Sequence, residues 1–271
     1  MDSRLVDTAL GRLRTRSRGS GGAGRETIVF WPSLLMTSAM WATQADHFGT
    51  GRQVILIDPP GHGGSERLTA PFTFADCAQC IVDVLDAFGV PRAHFVGNSW
   101  GGMIGGTFAA RHPQRLGKAV LMNCTASAAG RRQRLEYGLL LRMATLLGGI
   151  RPPLTRSVLK AFLGPTTFRT RPGVVDFVRA TVESADVRSA GWAVRSVVPD
   201  RPDQRSLLAE VTSPVLVVAG AEDTTFPVPE TKAMADAIPG ARFVVLDCVA
   251  HLAALENPGL VNRLVADFLT N

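Results

Sequence analysis

The stretch Gly97-Asn98-Ser99-Trp100-Gly101 follows directly on the apolar run Ala93 to Val96, and it constrains the fold more than any other part of the chain. It reads as Gly-x-Ser-x-Gly at a strand-to-helix junction. A serine hydroxyl is a poor nucleophile unless it is exposed on a strained turn beside a base. Glycines two residues to either side remove the Cβ atoms that would collide across such a turn. Gly102 extends the small-residue surface where the following helix must pass close to the strand. A pattern of five residues is common by chance, so its weight depends on partners elsewhere in the chain.

Those partners occur in a defined order. After the apolar strand Val215 to Ala219 comes Gly220-Ala221-Glu222-Asp223-Thr224-Thr225-Phe226-Pro227, with a carboxylate just past a strand end. After the strand Phe243 to Leu246 comes Cys248-Val249-Ala250-His251-Leu252, a histidine in a loop ahead of the last helix. Serine, then acid, then histidine is the chain order of one hydrolase fold and differs from the chymotrypsin and subtilisin orders. On these residues the chain resembles the α/β-hydrolase superfamily over nearly its whole length. The resemblance implies an α/β fold with a mostly parallel central sheet flanked by helices and an inserted helical cap.

The rest of the pattern is read on its own terms. Arg4 to Leu10 and Leu13 to Arg18 alternate apolar and polar residues around Gly11, which suits an antiparallel hairpin. A glycine-rich turn, Gly19 to Gly24, leads to a strand at Thr27 to Trp31. A short helix at Trp41 to Phe48 and a strand at Gln53 to Asp58 follow, then the sharp loop Pro59-Pro60-Gly61-His62-Gly63-Gly64-Ser65. A helix at Phe74 to Phe88, the elbow strand, a helix at Gly101 to Arg111 and a strand at Ala119 to Asn123 complete the first half. Strands that are apolar throughout and alternate with helices indicate a parallel sheet covered on both faces. Ligands of such sheets gather beyond the carboxyl ends of the strands, where Ser99, Asp223 and His251 can converge. From about Thr125 to Gln204 the alternation breaks into short helical pieces cut by Pro152, Pro153, Pro165, Pro172, Pro199 and Pro202. The expected division is a core of residues 1–124 and 206–271, with a cap of residues 125–205 over the sheet's carboxyl edge.

The resemblance implies that Ser99 attacks a carbonyl carbon, that His251 takes and returns the proton, and that Asp223 orients the imidazole. Glu222 is the rival acid; Asp223 is preferred because its place before Thr224-Thr225-Phe226-Pro227 resembles the family's acid loop. Asn123 sits where some relatives carry an acid, but an amide cannot stabilise an imidazolium charge. One oxyanion donor is expected to be the Trp100 N–H. The other should come from the turn after Thr27 to Trp31, where relatives usually show His-Gly before the donor and this chain has Trp31-Pro32-Ser33-Leu34-Leu35-Met36. Counting back from Trp41 makes Leu34 the donor, and a shift of one residue makes it Ser33; Pro32 has no N–H to give. A second departure is Ala250, where a glycine often precedes the histidine. The expected activity is cleavage of a carboxylic ester or lactone through an acyl-enzyme on Ser99. Carbon–carbon bond hydrolysis of a diketone acid is the alternative, since Gly97-Asn98-Ser99-x-Gly101-Gly102 is similar to that elbow, although Leu252 stands where those relatives often have tryptophan. A cyclase or receptor on the same scaffold is a third reading.

Composition narrows the partners. The net charge of +6 invites a nucleic-acid reading, yet residues 126–205 hold 14 Lys plus Arg against 6 Asp plus Glu, so the excess of +8 lies there and the remainder is −2. It is spread among apolar residues and prolines without an aromatic stacking array, which suits a solvated surface rather than a nucleic-acid site, and attraction of an anionic substrate is the alternative reading. Four cysteines do not make a disulfide framework. Cys77 and Cys80 read as one face of a helix, and Cys248 as a small buried residue. His62 belongs to a structural loop; His47, His94 and His112 lack carboxylates or cysteines at ligand spacing in the sequence. No metal and no cofactor are expected. The N-terminus lacks an apolar signal core and no run is long enough to cross a bilayer, so a cytoplasmic protein without a membrane partner is expected. The partner is a small molecule with an apolar acyl or ring moiety, contacted by Leu35, Met36 and Trp192.

Overall fold

The computed structural model describes residues 1–19 and 26–270. The expected glycine-rich turn lies outside them apart from Gly19. Eight strands form one sheet in the order β1-β2-β4-β3-β5-β6-β7-β8. They are β1 (Asp2–Thr8), β2 (Gly11–Arg18), β3 (Thr27–Trp31), β4 (Gln53–Ile57), β5 (Ala93–Asn98), β6 (Leu116–Met122), β7 (Val215–Gly220) and β8 (Arg242–Leu246). The hairpin β1–β2 joins β4 antiparallel, and every later pairing is parallel. Strands β3, β4 and β7 are buried at every position, as unbroken apolar runs covered on both faces must be. The alternating β1–β2 hairpin forms one edge and leaves much of β1 in solvent.

Helices α1 (Ala42–Phe48), α2 (Phe74–Ala87) and α3 (Trp100–Arg111) precede β6. The expected helix at Trp41 begins as a 3₁₀ turn, Ser38–Trp41, because the Thr37 hydroxyl accepts from Ala39 N and caps the chain there. Thr73 and Asp76 form a reciprocal capping box that starts α2, whose buried face includes Cys77 and Cys80. Between β6 and β7 come α4 (Arg131–Leu146), α5 (Leu154–Phe162), α6 (Pro165–Thr170), α7 (Pro172–Glu183), α8 (Val187–Val197) and α9 (Arg205–Leu208). The chain closes with α10 (Val228–Asp236), α11 (Ala253–Glu256) and α12 (Pro258–Thr270).

One sequence expectation needs correction here. Cys248 is exposed, because β8 ends at Leu246 and the chain turns at Cys248 with a φ of 57°. His94 has structural contacts that sequence spacing hides: its Nδ1 accepts from Lys118 N at 3.0 Å and its Nε2 lies 3.4 Å from Glu26 Oε1.

Candidate active site

Among the described residues, four that are not glycine have a left-handed backbone: Leu35, Ser99, Asn123 and Cys248. They follow the carboxyl ends of β3, β5, β6 and β8 respectively. Such conformations cost about 1–2 kcal/mol for an ordinary residue, and they concentrate where a site demands them. At Ser99 (φ 56°, ψ −112°) the strand turns into α3 within one residue. A Cβ on Gly97 would strike the Gly101 carbonyl, and one on Gly101 would strike the Trp31 carbonyl, so the elbow closes only with glycine at both positions. Ser99 N donates to Met122 O at 2.8 Å, and Ser99 O accepts from Met103 N at 3.0 Å. The nucleophile candidate is thus fixed between β6 and the first turn of α3.

His251 and Asp223 are both buried, and His251 Nδ1 lies 2.9 Å from Asp223 Oδ2. The other carboxylate oxygen, Oδ1, accepts from Thr225 N at 2.8 Å and Phe226 N at 3.1 Å. Both Asp223 oxygens are therefore committed, one to the turn and one to the imidazole. The rings of Phe162 and Phe226 flank the imidazole at centroid distances of 5.5 and 5.6 Å. Glu222 points elsewhere: its carboxylate accepts from Thr166 Oγ1 at 2.5 Å and Thr166 N at 3.0 Å, which ties the acid loop to α6.

An amide network that sequence reasoning missed joins the pieces. Asn98 Nδ2 donates to His251 O at 2.7 Å and to Ser33 Oγ at 2.8 Å. Asn123 Nδ2 donates to the same His251 carbonyl at 2.9 Å, while Asn123 Oδ1 accepts from Gly220 N at 2.7 Å. The elbow, the histidine loop, the end of β7 and the turn after β3 are thereby fastened around one carbonyl. The signal was present in the sequence as an asparagine beside the elbow serine and another at the end of the next strand.

The turn after β3 is Ser33-Leu34-Leu35-Met36, closed by Met36 N donating to Ser33 O at 3.1 Å, with Leu35 at φ 62°. Leu35 N donates to His62 Nε2 at 3.2 Å, and His62 Nδ1 faces Pro60 O at 2.9 Å. Burial holds the His62 imidazole below its ordinary value, which keeps it neutral and able to accept. His62 therefore braces the turn that carries Leu34 and Leu35, a role its own loop did not disclose. Trp100 is fully buried at the start of α3, its ring edge-on to Trp31 and stacked on Phe72.

A second missed residue is Glu256, buried five positions after His251. Its Oε1 accepts from Ala250 N and Leu252 N, which flank the histidine, both at 3.1 Å. Its Oε2 accepts from Gly164 N at 3.1 Å and Thr167 Oγ1 at 2.6 Å. Burial pushes the carboxyl up against these four donors, which pull the other way. With Thr225 Oγ1 donating to Ala161 O at 2.7 Å, three links fasten residues 161–167 to the acid and histidine loops.

A cavity of about 230 Å³ lies beneath α4, α5 and α8. It reaches the site at Leu34, Leu35 and Phe162, and its remaining walls are mostly aliphatic, including Leu140, Leu141, Ile150, Leu154, Val158 and Val194. Glu136, Tyr137 and Ser157 are its polar members. Of the expected substrate contacts, Leu35 lines this cavity. Met36 does not, since the tight turn carries it into the core, where it is fully buried; nor does Trp192, half-buried on α8 beside the lining residues Gly191 and Val194. Among the described residues no group of three His, Cys, Asp or Glu is placed to hold a metal ion, and no helix is long and apolar enough to cross a membrane.

Comparison with known proteins agrees with this architecture. Residues 26–258 match the family model described as the alpha/beta hydrolase fold. A 2-hydroxy-6-oxononadienedioate/2-hydroxy-6-oxononatrienedioate hydrolase of Paraburkholderia phymatum is 30% identical over 258 residues, covering 92% of this chain and 88% of that protein. A 3-oxoadipate enol-lactonase of Acinetobacter baylyi is 27% identical, covering 90% of this chain and 89% of its own. The crystal structure of an enol-lactonase from Burkholderia xenovorans superposes with a TM-score of 0.89 at 26% identity, covering 99% of this chain and all of the other.

Proposed function

This chain belongs to the α/β-hydrolase family, and we propose that it is a serine hydrolase of neutral, apolar carboxylic esters or lactones, with residues 125–205 acting as a cap over the site. One observation carries the substrate class: the cavity that opens on Leu34, Leu35 and Phe162 is walled by aliphatic side chains, and its one charged member is a carboxylate, Glu136. An acyl chain or ring gains about 25 cal/mol per Å² of apolar surface placed there, whereas a substrate carboxylate would lose hydration beside a like charge. The dioate named for the Paraburkholderia relative would meet no cation in that lining, so ester or lactone cleavage is preferred to carbon–carbon cleavage. The enol-lactonase relatives support lactone cleavage as the bond type, while the neutral substrate class rests on this cavity's lining and not on the acidic 3-oxoadipate of the Acinetobacter name.

In this mechanism Ser99 Oγ attacks the carbonyl carbon as His251 Nε2 takes its proton. The Nδ1–H held by Asp223 fixes the tautomer that leaves Nε2 free to accept. The backbone N–H groups of Trp100 and Leu34 receive the developing oxyanion. Leu35 N is already spent on His62 and Met36 N on Ser33 O, which leaves Leu34 and Ser33, and of these Leu34 is the one that lines the cavity. Each such donor contributes on the order of 3–4 kcal/mol to the transition state. The imidazolium then protonates the leaving alkoxide, and a water activated by His251 releases the acid from Ser99.

Treatment with a fluorophosphonate, followed by peptide mass spectrometry, should place one adduct on Ser99, and Ser99→Ala should abolish both the adduct and turnover of p-nitrophenyl esters. Ester hydrolysis that survives in Ser99→Ala would refute the mechanism. Faster turnover of a vinylogous diketone acid than of any neutral ester would refute the substrate class.

A further inference from the structure

Helix α4 is apolar on two opposite faces, and only one of them has a partner within the protein. Successive residues of a helix turn by about 100°, so Tyr137, Leu140 and Ala144 share one side. Those residues line the cavity and anchor the helix. On the other side Leu135, Leu139 and Leu146 fall within about 40° of one another by the same rotation. They are 77%, 61% and 87% exposed. Scattered exposed leucines are ordinary, but a stripe on one face of one helix is a surface that water solvates poorly. None of Leu135, Leu139 or Leu146 touches that cavity or packs on the core, although Leu146 and Arg142 border a second, open groove between α4 and α8.

The charges beside the stripe say what covers it. Arg131 and Arg142 fall along one edge of the leucines and Arg132 along the other, each about 20–40° away at that rotation. All three are exposed, and among the described residues none of them forms an ion pair. The one acid of the helix, Glu136, lies on the cavity side and lines its rim. Leucines between two rows of guanidinium groups match an anionic lipid surface, where the apolar centre enters the acyl boundary and the long cationic side chains reach back to the headgroups. A second copy of the chain fits poorly. Two-fold pairing would set these arginines against their equals, and Asp200, which shares a groove with Arg142 and Leu146, is already paired with Arg195.

We propose that α4 is an interfacial helix that seats the protein on anionic lipid, with its axis in the plane of the surface and the cavity directly behind it. A helix lying in the interface needs no bilayer-crossing length, so this proposal replaces the expectation of no membrane partner with a peripheral one. The inference is independent of which bond the site cleaves, and it is read without turnover.

The test is co-sedimentation of the purified chain with large unilamellar vesicles, either of phosphatidylglycerol mixed equally with phosphatidylcholine or of phosphatidylcholine alone. Binding to the anionic vesicles, weakened by salt, is expected, with far less binding to phosphatidylcholine. The triple variant Leu135→Ser/Leu139→Ser/Leu146→Ser should lose at least a hundredfold in partition, since burial of one leucine is worth about tenfold or more. Arg131→Gln/Arg132→Gln/Arg142→Gln should lose about fivefold per arginine. Both variants change exposed side chains, so an unaltered melting temperature and unaltered fluorophosphonate labelling of Ser99 report that the fold is intact. Three results would overturn the proposal: no binding to anionic vesicles at low salt, wild-type binding by the leucine triple, or a dimer in light scattering that the leucine triple dissolves.

Discussion

The two donors that converge on His251 O allow a sharp test of how the site is held. In Asn123→Ala the carbonyl keeps its bond from Asn98, but Gly220 N–H loses its acceptor in a fully buried position. An unpaired buried N–H costs about 1–3 kcal/mol, and alanine tolerates the left-handed backbone at this position less well than asparagine, for about 1 kcal/mol more. For a chain of this size 1 kcal/mol moves the midpoint by about 2 °C, so Asn123→Ala should melt about 4–8 °C lower. Asn98→Ala loses the Ser33 contact and one of the two donors to the carbonyl, for about 1–2 kcal/mol. The double variant differs in kind, because only there is His251 O stranded without a donor. It should be less stable than the sum of the singles by a further 1–3 kcal/mol or so. The assay is urea unfolding of the four proteins of the cycle, with kcat on an activated ester measured in parallel. A displaced histidine loop should make the loss of kcat more than multiplicative as well. The direct bond from Asn123 Nδ2 to Asn98 Oδ1, 3.3 Å long, works in the opposite sense, so a double variant more stable than the sum of the singles would refute the claim that both amides hold one carbonyl.

Asp223→Asn should keep its oxygen on Thr225 N and Phe226 N and present its amide N–H₂ to His251 Nδ1, forcing the tautomer whose Nε2 cannot accept the serine proton. Stopped assays should then show kcat down by about 10⁴ with the fold unchanged, whereas Glu222→Gln should stay within a few-fold of wild type. Stability should depend on His62 at mildly acid pH. Its folded-state value lies below the ordinary 6.5, so the contribution of the neutral ring is intact above that value and is lost as pH falls through it toward the lower folded value. His62→Gln, which can still accept from Leu35 N, should flatten that part of the stability profile in denaturant titrations across pH 5–8. Among the cysteines only Cys248 should react with iodoacetamide in the native state, since Cys77, Cys80 and Cys124 are buried and burial raises their thiols, Cys80 to about 11. Mass spectrometry of the alkylated peptides reads this directly.

How much of this was legible in the sequence follows from the range of each interaction. The succession of strands and helices and the placement of Ser99, Asp223 and His251 after strand ends rest on local periodicity and turn chemistry, which a sequence displays openly, whereas the order of strands in the sheet is set by long-range pairing. The elbow glycines are local too, because the atoms they must avoid lie within a few residues or on the adjacent strand. What was hidden is long-range polar pairing. Asn98 and Asn123 reach His251 across 153 and 128 residues, and His62 reaches Leu35 across 27, and no pattern of spacing encodes those matches. The exposure of Cys248 and the burial of Met36 were misread for a related reason. Each sits beside a left-handed residue or is one, and a single such turn redirects every side chain that follows.

The links between residues 161–167 and the two loops bear on how a substrate enters. Glu222, Thr225 and Glu256 hold that segment from three directions, and Phe162 within it stacks on the imidazole. Moving α5 or α6 away from the core would break the bonds of Glu256 to Gly164 and Thr167, of Glu222 to Thr166 and of Thr225 to Ala161, and would separate Phe162 from the imidazole. Opening there would therefore strip Glu256, which braces the histidine loop, of two of its four donors. The opposite wall is held differently: α4 meets the cavity through Tyr137, Leu140, Leu141 and Ala144, contacts that are mostly apolar and non-directional, and a polar link at its first turn, Arg201 Nη2 donating to Gln133 Oε1 at 3.2 Å, lies away from the histidine loop. Apolar contacts re-form after sliding, whereas a stranded N–H or carboxylate has no substitute until its own partner returns. Access to Ser99 is thus cheapest past α4, whose outer face bears the leucine stripe, and a lipid surface that engages that stripe would draw on the same helix that must move.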